Sequence, residues 1–122
     1  MSMNYDPMTP PSPAEWLALS EPERLKLVEA YHEGAGAPLP SAKLHAVVHV
    51  AVETQIAQDF EPTLRAMARL AAGGLDRHEA LHAVGNVLSH HIFGAMKLGA
   101  QEFDEALYAI ELEFLNLERR ET

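Results

Sequence analysis

The chain has 122 residues, a net charge of −9, 48% hydrophobic residues and no cysteine. That length suits one domain with a single core, and the acidic balance argues against a nucleic-acid or anionic-membrane partner, since both want clustered Lys and Arg. The lack of cysteine excludes disulfides, thiolate catalysis and cysteine-type zinc sites. No apolar run reaches the ~20 residues of a membrane span, and no basic start with an apolar run marks an export signal, so a cytoplasmic protein is expected.

Residues 1–12 carry Pro7, Pro10 and Pro11 without periodicity and read as a flexible tail, disordered or loosely docked. Ser12-Pro13-Ala14-Glu15 is a helix start, with Ser as N-cap and Pro at the first helical position. Ser20-Glu21-Pro22-Glu23 repeats the signal. The helix after it runs to about Glu33, with Leu25, Val28 and His32 on one face. Gly34, Gly36, Pro38 and Pro40 make a loop. Ser41 caps a helix over roughly 42–59. Pro62 starts another, with Leu64, Met67, Ala68 and Leu70 as its stripe and Gly73-Gly74 as its C-terminal stop. Asp76-Arg77-His78-Glu79 is a further capping box, opening a helix over about 77–98. A last helix covers about 101–119, with Phe103, Ala106, Leu107, Ile110, Phe114 and Leu117 inward. No alternating strand pattern is evident. The expected fold is all-α, with four to five main helices joined by short loops in one bundle domain over 13–122.

Histidine is the unusual residue, at 7 of 122, and all but His32 fall between Leu44 and Gly99. Excess His without Cys points toward metal or proton chemistry. On a helical wheel with His45 at zero, His49 falls at about 40° and Glu53 at about 80°. Lys43, Thr54, Gln55 and Gln58 occupy the far side, the natural solvent face. The His45, His49 and Glu53 stripe therefore points inward, flanked by Val48, Val52 and Ile56. A buried carboxylate beside imidazoles needs compensation, from a divalent metal or from a hydrogen-bond network.

His78-Glu79-Ala80-Leu81-His82 spells H-E-x-x-H, the string with which zinc peptidases bind zinc through two His and activate water through Glu. On the wheel His78 and His82 sit beside the apolar side of Leu81, Val84, Leu88 and Ile92. Glu79 turns to the polar side, where it serves as the capping-box Glu. Gly85 continues the histidine ridge and would admit a close neighbour. His90 is expected to be exposed and His91 a packing residue. Trp16, Tyr31, Phe93, Phe103 and Phe114 read as core, and Met67 and Met96 as space-filling. A di-iron carboxylate bundle is a further reading, drawing on Glu29-x-x-His32, Glu79-x-x-His82, Glu53 and Glu111. His32 on its apolar face also reads as a satisfied core histidine or a support for a ligand.

The His45-x-x-x-His49-x-x-x-Glu53-x-Gln55 run, the following proline, Arg69-Leu70 and the Leu75-x-Arg77-His78 helix resemble small bacterial proteins of the domain of unknown function 1841. The resemblance covers about residues 40–98. His45, His49, Glu53, Gln55, His78 and Gly85 match the pattern, and His82 stands where that family is expected to carry Glu. The resemblance implies a small helical protein with paired His helices and carries no settled activity.

The residues thus lead to a His/Glu divalent-metal site between the 42–59 and 77–98 helices. Its ligands are drawn from His45, His49, Glu53, His78 and His82, with His32, Glu79 and Glu111 as supporting or extra ligands. Imidazole and carboxylate donors suit Zn, Fe, Mn or Ni. An open coordination position would allow hydrolysis by a metal-bound water, with Glu79 as base if the protein is a zinc peptidase. The competing reading is a metal-free adaptor or dimerisation module, with a buried His/Glu network and a homodimer as its assembly.

Overall fold

The computed structural model describes residues 4–35, 42–97 and 104–115, with side chains described outside 32–35, 42–43 and 93–97. Ser41, Phe103 and Leu117, and the side chains of His32, Lys43, Phe93 and Met96, lie outside the described residues. Among those described the chain is all-α: α1 (Pro13–Ala18), α2 (Glu21–Ala35), α3 (Ala42–Ala57), α4 (Glu61–Ala72), α5 (Arg77–Lys97) and α6 (Glu105–Glu113). They fall into two compact units, Met1–Asp59 and Phe60–Thr122.

The starts of α2 and α5 form as reciprocal capping boxes. The Ser20 backbone N–H donates to Glu23 Oε1 at 2.8 Å, and the Glu23 N–H donates to Ser20 Oγ at 3.3 Å. The Asp76 N–H donates to Glu79 Oε1 at 2.9 Å, and the Glu79 N–H donates to Asp76 Oδ1 at 2.8 Å. Each box satisfies two backbone donors that a helix start leaves open. Ser12 is the N-cap of α1 by position, with Pro13 behind it, and its side chain makes no capping bond.

The Ser20 backbone N–H, then the Ser20 hydroxyl, holds the Glu23 carboxyl below the ordinary glutamate range. A lowered folded value means that this capping contribution is present above the unfolded glutamate range. It is lost as pH falls through the lowered value. Replacing Ser20 with alanine is expected to destabilise the first unit by about 1 kcal/mol. Thermal denaturation would show it as a lowered midpoint, because alanine keeps the backbone N–H that holds the Glu23 carboxyl and loses the hydroxyl that accepts the Glu23 N–H.

In the first unit α3 packs on α1 and α2. Its core is Tyr5, Trp16, Val28 and Ala46, with Leu19, Leu25, Leu27, Tyr31, Val50 and Ala57 against them. Composition makes residues 1–12 a flexible tail, yet Tyr5 and Pro7 are buried. The Tyr5 ring lies 5.9 Å from Trp16 and 6.1 Å, edge-on, from Tyr31. Prolines remove periodicity from this segment without stopping one aromatic side chain from anchoring it. Thr54, expected on the solvent face, accepts the Trp16 Nε1–H at 3.1 Å and donates to the Val50 carbonyl at 2.8 Å.

In the second unit α4, α5 and α6 pack on one another. From α5 come the buried Ala80, Leu81, Ala83, Val84 and Leu88. The buried positions of α4 are Thr63, Ala66 and Leu70. Its stripe is thus rotated from the expected one: Leu64 and Met67 are half-buried and Ala68 is exposed. Gly73 caps α4, and Gly74 follows at φ +105°, a backbone that side-chain-bearing residues rarely adopt.

The face of α6 is the clearest correction. The pattern places Leu107, Ile110 and Phe114 inward, but they are 48%, 53% and 60% exposed, and Ala106 is exposed with them. Tyr108, Leu112 and Leu115 are buried instead. α6 is apolar on more than one side, so its own periodicity does not choose a face. Partners distant in sequence choose it. Phe60 stacks on Tyr108 at 6.3 Å with an interplanar angle of 1°. Arg69 donates to the Leu112 and Leu115 carbonyls at the end of α6, and Arg65 bonds Glu113 at 3.0 Å. Asp104 caps the start by accepting the Leu107 N–H at 3.0 Å.

Candidate metal centre

Two helices present histidine pairs, and spacing explains both. Residues four apart in an α-helix share a face, one turn from each other. On α3 the rings of His45 and His49 lie 5.0 Å apart, tilted by 35°. Each offers a ring nitrogen within 4.8 Å of the other. On α5 the rings of His78 and His82 lie 4.3 Å apart at 66°, and their ring nitrogens meet the same limit. Imidazole bonds zinc at ~2.0–2.1 Å, so nitrogens this close on one helix face are of the kind that can share an ion.

The stripe on α3 turns inward as the wheel requires. His49 is 3% exposed and Glu53 is 1% exposed, while His45 is half-buried. The Tyr5 hydroxyl meets both buried groups. It donates to Glu53 Oε2 at 2.7 Å and lies 2.9 Å from His49 Nδ1. The Tyr5 and His49 rings stand at 86° to each other. Sequence reasoning missed Tyr5 altogether, because nothing in a proline-rich segment points to a partner more than forty residues away. The unusual placing of an aromatic among those prolines was the only signal present.

On α5, His78 and His82 are half-buried, as expected from the wheel, and Gly85 on their ridge is buried. Glu79 is exposed and engaged in the capping box with Asp76. It stands on the polar side, away from the ridge of His78 and His82. His90 is exposed, and His91 is half-buried with its ring 5.9 Å from Tyr108, edge-on. Glu111 is half-buried on α6, and Glu29 is half-buried on α2. The His32 side chain lies outside the described residues.

The fold and these pairs define an all-α chain with two imidazole pairs, each on its own helix. Among the described residues no helix is long and apolar enough to cross a membrane. Comparison with protein families, with curated proteins and with solved structures returns no match.

Proposed function

We propose that the protein binds divalent metal through its two i, i+4 histidine pairs, His45 with His49 on α3 and His78 with His82 on α5. The observation that supports this most is the repetition of one geometry, with both helices carrying an i, i+4 pair whose ring nitrogens lie within 4.8 Å of each other. Each pair supplies two imidazole nitrogens, a common partial donor set for a divalent ion. An all-imidazole set suits Zn or Ni better than Mn, which prefers oxygen donors. With imidazole donors alone, the reading is a metal-binding site rather than a peptidase. The position of Glu79 agrees: it is exposed and holds the α5 cap, whereas a peptidase would need it facing a metal-bound water. The likeness of the paired-His helices to the domain of unknown function 1841 belongs to this proposal.

One observation favours a second reading. The Tyr5, His49 and Glu53 hydrogen bonds satisfy buried polar groups without any ion, which is what a metal-free network inside an adaptor would look like. Elemental analysis separates the two. Protein purified without a histidine tag and freed of loosely held ions is expected to carry stoichiometric metal. Saturating zinc added to stripped protein is expected to stabilise it by about 2.7 kcal/mol at a hundredfold excess over the dissociation constant. No stoichiometric metal, and no thermal shift with Zn, Ni, Fe or Mn, would leave the network reading standing.

A further inference from the structure

We propose that Tyr5 is the positioning residue of this site, and that it acts by dictating which ring nitrogen of His49 carries the proton. The proposal rests on the metal reading above for its functional consequence. It also reassigns Glu53, which the helix pattern offers as a ligand, to a role exerted through Tyr5.

The argument is one of hydrogen-bond counting. A phenol has one proton to donate, and an ionised carboxylate only accepts. The Tyr5 hydroxyl lies 2.7 Å from Glu53 Oε2, so its proton goes there. What the Tyr5 oxygen then offers His49 Nδ1, 2.9 Å away, is a lone pair. Nδ1 must therefore carry the hydrogen, and in a neutral imidazole the lone pair of the ring passes to Nε2. Nε2 becomes the atom of His49 that meets the metal. Tyr5, His49 and Glu53 are 6%, 3% and 1% exposed, so water competes poorly for these bonds. A carboxylate relayed to the far nitrogen of a ligand also strengthens the near one as a donor.

This makes the segment before α1 part of the site. Tyr5 reaches α3 from residues with no regular structure, and its ring is seated against Trp16 and Tyr31. The phenol is thus held in place by packing independent of any ion.

The test reads the tautomer directly. Long-range proton–nitrogen correlation spectra of 15N-labelled, metal-free protein at mildly alkaline pH distinguish the two neutral forms of histidine. Wild-type His49 is expected in the Nδ1–H form. Tyr5→Phe is expected to abolish that preference while helix content by circular dichroism is kept, and to weaken zinc about 10–100-fold in a chelator competition. Glu53→Leu is a second, opposite probe. Without the carboxylate the phenol turns its proton to His49, so Nδ1 accepts and the tautomer is expected to invert. A wild-type His49 in the Nε2–H form overturns the proposal, as does a tautomer and zinc affinity unmoved by Tyr5→Phe. Failure of the wild-type chain to bind zinc at all overturns instead the metal reading and the ligand role of His49. The tautomer would then report a hydrogen-bond network alone.

Discussion

Replacing His78 and His82 together with alanine is expected to abolish metal binding by that pair, and replacing His45 and His49 together is expected to do the same for theirs. Structural zinc sites with four ligands release about 10–16 kcal/mol on binding, or about 3 kcal/mol for each ligand. Loss of a pair then costs about 6 kcal/mol, on the order of a ten-thousandfold in affinity. Chelator competition on the stripped variants measures it. The stoichiometry carries the sharper information. Each double variant is expected to lose the metal that its own pair holds, and a metal content unchanged by either variant would overturn the proposal. Glu79→Gln is the companion control, expected to leave affinity unchanged because Glu79 bonds the Asp76 backbone.

The largest effect on stability is expected at Trp16. Its side chain is fully buried in the first unit, donates to Thr54 at 3.1 Å, and packs beside Tyr5. The Trp16 carbonyl also accepts Arg24 Nε at 3.0 Å. Truncation to alanine removes the ring contacts and leaves a cavity in the core of the first unit, at a cost of about 3–5 kcal/mol. Urea denaturation would give the loss in free energy. Hydrogen exchange would locate it, with protection falling most over residues 4–59. Because Tyr5 leans on Trp16, the same variant is expected to loosen His49 and weaken metal binding. Trp16→Phe, which keeps an aromatic ring and loses only the Thr54 bond and part of the area, is expected to cost less than half as much.

Much of this molecule was legible from short stretches. Ser20 with Glu23, and Asp76 with Glu79, settle the starts of α2 and α5, because a capping box is complete within four residues and needs nothing from the rest of the chain. Spacing alone pairs His45 with His49 and His78 with His82, since one helical turn brings i and i+4 together wherever the helix goes. The inward turn of His49 and Glu53 agrees with the helical wheel, although Thr54 on the far side is itself half-buried against Trp16. The polar position of Glu79, and so the weakness of the peptidase string, follows from the same geometry.

Three features were not legible, and each depends on residues far away along the chain. The buried side of α6 is chosen by Phe60, Arg65 and Arg69, because α6 is apolar on several sides and its own pattern offers no preference. The buried stripe of α4 turns with it, centring on Thr63, Ala66 and Leu70. The partner of Glu53 and His49 is Tyr5, separated from them by 48 and 44 residues. Local propensity and periodicity determine where helices lie and which side chains share a turn. Which apolar face is covered, and which phenol fills the gap beside a buried carboxylate, are decided when the helices pack, because burial free energy belongs to the surfaces that meet and not to either segment alone.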